Sequence, residues 1–137
     1  MTRPLPFVRD AGSPLTLVGH SYGAAVALRA ALDRPERVRA MVLYEPTLFS
    51  LVDAEAPPPN ATAGIRQAVA DASLALDVPV MFLLGEKTTA SARGVARLLV
   101  TALPRVEVLE FEELGHMGPV THPERVNAAI ARFLEGA

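Results

Sequence analysis

The sequence contains a serine, a histidine and carboxylates at positions where they could together perform acyl transfer. Ser21 is the centre of a G-H-S-Y-G pattern at residues 19–23, which follows an apolar run and precedes an alanine-rich stretch. This G-x-S-x-G pattern is typical of a serine on a sharp strand-to-helix turn. Gly19 and Gly23 are expected to let the strand and the helix approach without side-chain clashes. The start of the helix directs N–H groups toward an oxyanion at Ser21, which is therefore the predicted nucleophile.

A serine hydroxyl needs a base within hydrogen-bonding reach, and the chain has three histidines. His20 is next to the serine, and on so tight a turn its side chain is expected to point elsewhere. His122 falls in the predicted first turn of the last helix, where a solvated surface residue is expected. His116 lies in a glycine-containing loop after the last predicted strand, and it is the predicted base.

The base in turn needs a carboxylate that fixes its tautomer and stabilises the imidazolium. Glu45 ends the second predicted strand, and Glu86 follows the third. Glu45 is slightly favoured because Pro46 holds the backbone there, whereas Lys87 beside Glu86 suggests exposure. Both residues stay candidates.

The order of apolar runs predicts strands alternating with helices. Such alternation is typical of α/β proteins, and it predicts a parallel sheet of about four strands with helices on both faces. The carboxyl ends of the strands then share one edge, where ligands bind in open α/β sheets. Strands are predicted at about 15–19, 38–44, 78–85 and 105–111, and helices at 22–33, 62–76, from about Thr88 to Leu103, and after Pro119, with a capping box of Thr121 and Glu124.

Composition bounds the function classes. The chain has 137 residues, which is the size of one domain; half are hydrophobic, the net charge is −2, and there is no cysteine. These totals give no reason to expect nucleic acid or a membrane as partner, and they exclude disulfide and thiol chemistry. No cofactor and no metal are expected. A cytoplasmic location is the default, since no signal-peptide or membrane-spanning segment is visible.

The chain resembles the α/β-hydrolase fold superfamily of serine hydrolases. The similarity covers residues 15–134 and is carried by the pattern at residues 19–24, the P-E-R-V lead into an apolar strand at 35–38, and G-H-M-G-P at 115–119. It implies that Ser21 is the nucleophile, His116 the base and the Tyr22 backbone N–H an oxyanion donor. It also implies hydrolysis of an ester, thioester or amide through an acyl-enzyme.

The chain departs from the family pattern in three places. In the family, four strands and a loop with the second oxyanion donor normally precede the elbow, whereas residues 1–14 read here as an irregular lead-in. The family acid normally stands at the position of Thr88, which shifts weight to Glu45. Residues 47–64 read as a loop in place of a cap, with an apolar cluster at 48–52. The resemblance is thus to the C-terminal half of a serine hydrolase, from a truncated gene product, a misplaced start or a split enzyme.

Two function hypotheses follow. The first is a serine hydrolase that acts on a small-molecule acyl substrate, impaired by truncation. The second is a non-catalytic remnant or interaction module. The second predicts that the first strand, an exposed sheet edge, self-associates or pairs with a separate N-terminal fragment.

Overall fold

Strands and helices alternate along the part of the chain that the structure describes. The computed structural model describes residues 14–46 and 76–136, with the side chains of Ser91 and Ala102 left out, and the statements below concern those residues. The elements are β1 (Leu15–His20), α1 (Tyr22–Asp33), a 3-10 turn (Pro35–Arg37), β2 (Val38–Tyr44), β3 (Val80–Gly85), α2 (Ala90–Ala102), β4 (Val106–Phe111), α3 (Gly118–Thr121) and α4 (Pro123–Gly136).

The four strands form one parallel sheet in the order β1-β2-β3-β4. In the register, Tyr44 pairs with His20 on one side and with Leu83 on the other. Gly85 pairs with Phe111. The carboxyl ends of all four strands therefore meet at one edge, and the predicted α/β fold class is confirmed.

Helices cover both faces of this sheet, as predicted. Successive strand residues point to opposite faces, so neighbours in β2 and β3 enter different cores. The first core contains Met41, Leu43, Phe82 and Leu84 from the strands, with Leu28 of α1 and Val95 and Leu99 of α2. The second contains Val42, Tyr44, Met81 and Leu83 from the strands, with Phe111, Leu114 and Val126 and Ala129 of α4.

Most element boundaries follow local sequence signals. The bounds of α1 and β2 agree with the prediction. Thr89 caps α2, since its side-chain oxygen accepts a hydrogen bond from the Ala92 N–H at 3.2 Å. β3 begins at Val80, two residues later than predicted. Pro79 has no N–H to donate, although its carbonyl accepts from the Met41 N–H at 3.0 Å.

The predicted capping box of the last helix is wrong. Thr121 is the final residue of the four-residue α3, and α4 begins at Pro123. Proline favours the first position of a helix because its φ is fixed and it lacks an N–H. The helical segment is therefore divided at His122, and the Thr121 hydroxyl bonds to the His122 ring at 2.8 Å instead.

β1 is an edge strand within the part of the sheet that the structure describes. Leu15 and Leu17 point to the first core, whereas Val18 points to the opposite face and is 52% exposed. None of the described helices is long and apolar enough to cross a membrane. The predicted lead-in before residue 14, the loop at 47–64, the apolar cluster at 48–52 and the helix at 62–75 lie outside the described residues.

Candidate active site

Ser21 lies on a strained turn between β1 and α1. Its backbone has φ 58° and ψ −123°, a conformation that costs a residue with a side chain roughly 1–3 kcal/mol. The turn is held because the Ser21 N–H donates to the Tyr44 carbonyl at 2.9 Å and the Ser21 carbonyl accepts from the Ala24 N–H at 3.0 Å. Tyr22 is the first residue of α1, so its N–H has no acceptor within the helix.

The two glycines of the turn differ in what they permit. A Cβ at Gly19 would lie 2.6 Å from the Ala24 Cα, so this position requires glycine for the strand and helix to approach. A Cβ at Gly23 would meet nothing within 4 Å among the described residues. The prediction that both glycines relieve crowding is confirmed for Gly19 and is wrong for Gly23, whose side-chain position points to open space.

The structure brings Ser21 and His116 together. His116 follows β4 and precedes α3, and its Nε2 lies 2.8 Å from the Ser21 Oγ. With Nε2 as the acceptor, the serine hydroxyl donates and the ring carries its proton on Nδ1. His116 keeps a third of its side chain exposed, so the pair is open to a reactant.

Glu45, and not Glu86, completes the group. The Glu45 N–H donates to the Leu83 carbonyl at 3.1 Å, which extends the β2–β3 ladder by one residue, and the backbone then turns at φ 44°. The Glu45 side chain is buried, and its Oε1 accepts from His116 Nδ1 at 2.9 Å. Glu86 is exposed, and the structure does not bring it to His116.

Two donors at the carboxyl end of β3 hold the Glu45 carboxylate. Its Oε2 accepts the Gly85 N–H at 2.8 Å, and its Oε1 accepts the Thr88 hydroxyl at 2.5 Å. Together with His116, these are three hydrogen bonds to one buried carboxylate, as a charge removed from water requires. Thr88 is the position at which the family resemblance places an acid, and here it supports the acid from the neighbouring strand.

Two residues whose role the sequence analysis did not predict hydrogen-bond to the backbone around His116, here called the histidine segment (residues 114–117). The His20 ring donates from Nε2 to the His116 carbonyl at 2.7 Å, and the Tyr44 hydroxyl donates to the Gly115 carbonyl at 2.8 Å. Burial and the nearby Glu45 carboxylate raise the pKa of Tyr44 to about 12, so its hydroxyl stays protonated as a donor. The sequence feature that could have indicated these two residues is their position, because His20 directly precedes Ser21 and Tyr44 directly precedes Glu45.

The other two histidines do not contact Ser21. The His20 ring points toward the histidine segment, and this agrees with the expectation that it points away from Ser21. His122 is exposed between α3 and α4, and its ring bonds only to Thr121. Among the described residues, no group of three or more histidine, cysteine, aspartate or glutamate side chains could hold a metal ion.

Comparison with known proteins points to one family. The sequence profile of the alpha/beta hydrolase fold matches residues 12–70. Over 35 residues, the chain is 49% identical to Lipase LipV of Mycobacterium tuberculosis, a match that covers 26% of this chain and 13% of the lipase.

Solved structures match over most of the chain. A predicted CIB-like hydrolase from Thermoplasma acidophilum has a TM-score of 0.71 at 13% identity, and the match covers 91% of this chain and 52% of that one. The α/β hydrolase MGS-MChE2, from a lagoon-sediment metagenome, has a TM-score of 0.68 at 21% identity, with coverage of 90% and 62%. This chain thus spans only part of the length of these relatives. The part of this chain that the structure describes therefore has a part of the α/β-hydrolase fold, and the profile match over residues 12–70 agrees with that fold.

Proposed function

We propose that this chain carries the acyl-transfer centre of a serine hydrolase that acts on an ester, thioester or similar small acyl substrate. The observation that carries the proposal is the continuous relay from Ser21 through His116 to Glu45, with atom-to-atom distances of 2.8 and 2.9 Å. These are the contacts that a nucleophile, a base and an orienting acid need.

In the proposed reaction, His116 Nε2 takes the proton of the Ser21 hydroxyl while Oγ attacks the substrate carbonyl carbon. The imidazolium formed in this step is stabilised by the buried carboxylate of Glu45. His116 then returns the proton to the leaving group as the tetrahedral intermediate collapses to an acyl-enzyme. Water, activated by the same base, hydrolyses the acyl-enzyme and releases Ser21.

The oxyanion of the tetrahedral intermediate needs hydrogen-bond donors, and the Tyr22 N–H is the donor that we assign. It is adjacent to the nucleophile and lies at the positive end of α1. Absence of one oxyanion donor typically costs about 10²–10³ in rate. The Tyr22 N–H without a second donor would therefore support only slow hydrolysis.

The ester class is supported by relatives and not by a pocket. The short match to a protein named as a lipase favours an acyl substrate with a carboxylic ester bond. A cytoplasmic site of action stays a prediction from the sequence.

The test is reaction with a fluorophosphonate, which modifies activated serines. We expect one label per chain, lost in Ser21→Ala and in His116→Gln. His122→Gln is the matched control, because it changes an exposed histidine whose ring bonds to the Thr121 hydroxyl. A folded wild-type chain that is not labelled, or a Ser21→Ala variant that still is, would contradict the proposal.

A second candidate function is association through the β1 edge. Val18 is 52% exposed on the uncovered face of that edge strand, and such edges pair readily with other strands. We propose that this edge pairs with a second copy or with a separate N-terminal fragment. Sedimentation should then show self-association that Val18→Lys weakens, or a complex once such a fragment is added. A monomer that binds no fragment would contradict this proposal.

A further inference from the structure

The carboxylate of Glu45, the acid of the proposed centre, is held at the end of the neighbouring strand β3. Glu45 directly follows β2, and its N–H donates to the Leu83 carbonyl of β3 at 3.1 Å. Its carboxylate accepts two hydrogen bonds at the carboxyl end of β3: Oε2 from the Gly85 N–H, in the last residue of the strand, and Oε1 from the Thr88 hydroxyl, just after it. The oxygen that accepts the Thr88 hydroxyl is also the one that faces His116 Nδ1.

We propose that Thr88 is a positioning residue that holds the Glu45 carboxylate in line with His116, an inference that rests on the proposed function. Thr88 hydrogen-bonds to the carboxylate of Glu45, which in turn faces His116. It acts through Glu45, by fixing where Oε1 lies.

Because Glu45 is buried, its carboxylate depends on the Thr88 hydroxyl as a hydrogen-bond donor. The residue is 1% exposed, so water does not replace a missing donor freely. The Thr88 Oγ1–Glu45 Oε1 distance of 2.5 Å is in the normal range for a hydroxyl that donates to a carboxylate. Without this hydroxyl, Oε1 would accept only from His116. The carboxylate could then turn about the hydrogen bond between its Oε2 and the Gly85 N–H, which would move Oε1 away from Nδ1.

The position of the Thr88 hydroxyl is itself fixed. The Thr88 N–H donates to the Gly85 carbonyl at 3.2 Å, which closes a turn after β3. Within that turn, the Lys87 N–H donates to the Leu114 carbonyl at 2.8 Å, two residues before His116. The turn at residues 85–88 therefore bonds both to the Glu45 carboxylate and to Leu114 at the start of the histidine segment. The distance between Glu45 and His116 depends on this one turn.

The experiment compares Thr88→Val, which removes the hydroxyl at nearly constant shape, with Thr88→Ser, which keeps it. Thr121→Val is the matched control, because its hydroxyl bonds only to the exposed His122. Two readouts are used: the low-field NMR resonance of the His116 Nδ1 proton in histidine-labelled protein, and the rate of fluorophosphonate labelling. With three histidines in the chain, single His→Gln variants assign the resonance.

We expect Thr88→Val to move the Nδ1 resonance upfield, to broaden it, and to slow labelling by about ten- to hundredfold, as loss of an outer hydrogen-bond partner of a functional histidine does. Steady-state hydrolysis of a p-nitrophenyl ester should lose kcat with little change in KM. Thr88→Ser should restore all three quantities, and Thr121→Val should leave them unchanged. If Thr88→Val does not fold, Thr88→Ala replaces it.

An unchanged resonance in folded Thr88→Val, or a Thr88→Ser variant no better than Thr88→Val, overturns the inference. A wild-type chain that does not react with the phosphonate overturns the proposed function instead. In that case the resonance still decides the role of Thr88, because it reports the His116–Glu45 hydrogen bond without any turnover.

Discussion

Replacing Glu45 with glutamine removes the negative charge beside His116 while keeping the shape of the side chain. The carboxylate now accepts three hydrogen bonds, from Gly85, Thr88 and His116. An amide has one oxygen, so if that oxygen faces the Gly85 N–H, its NH₂ group faces His116. Nδ1 must then become an acceptor, which moves the ring proton to Nε2, where it blocks proton transfer from Ser21.

Two effects set the size of the loss. Two unit charges about 4 Å apart attract by about 4 kcal/mol at an effective dielectric constant of about 20, and this stabilisation of the imidazolium disappears with the charge. It corresponds to about a thousandfold in rate. The wrong tautomer in a relay of this kind costs about 10⁴ in kcat. We therefore expect Glu45→Gln to slow acylation by about 10³–10⁴.

The assay is the second-order rate of fluorophosphonate labelling, measured beside a thermal unfolding curve so that loss of folding is not counted as loss of chemistry. Glu86→Gln is the matched control, since Glu86 is exposed and follows the neighbouring strand. We expect that variant to react at close to the wild-type rate. The reverse result, with Glu86→Gln slow and Glu45→Gln unaffected, would refute the assignment of the acid.

Four further predictions concern residues at or near the site. Gly85→Ala should destabilise the fold by about 1–3 kcal/mol in denaturant titrations, because its Cβ would overlap the Leu114 carbonyl. In the same titrations Gly23→Ala should stabilise the fold by about 0.5–1 kcal/mol, because a Cβ there meets no atom of the described residues within 4 Å and alanine favours the helix. Ser21→Gly should raise the free energy of unfolding by about 1 kcal/mol, since it relieves the positive φ, and an unchanged midpoint would contradict this strain. The raised pKa of Tyr44 means that its contribution to stability is complete below pH 10 and is lost as the pH rises toward about 12. Alkaline unfolding curves should show this loss in the wild type and not in Tyr44→Phe.

Local signals in the sequence sufficed for the strand-turn-helix unit around Ser21. Residues 15–33 carry an apolar run, a glycine-flanked serine and a helix-forming stretch in direct succession, so the unit depends on neighbours within a few residues. The same holds for β2, whose continuous apolar residues predicted a strand covered on both faces. The Thr121 capping box failed because Pro123, two residues on, is the stronger local start signal.

Only the tertiary structure shows which of the two carboxylates lies beside His116. Glu45 and Glu86 both follow strands of one sheet, and their sequence contexts do not state which carboxylate points toward residue 116. That outcome depends on the register of β2 against β3 and on where Gly85 and Thr88 place their donors. These groups are about 40 residues from Glu45 in sequence, so only the assembled sheet brings them within hydrogen-bonding distance. The sequence by itself determined the layered α/β scaffold and the strand-turn-helix unit that presents the candidate nucleophile, because both arise from short-range patterns, whereas the partners of the buried carboxylate arise from long-range packing.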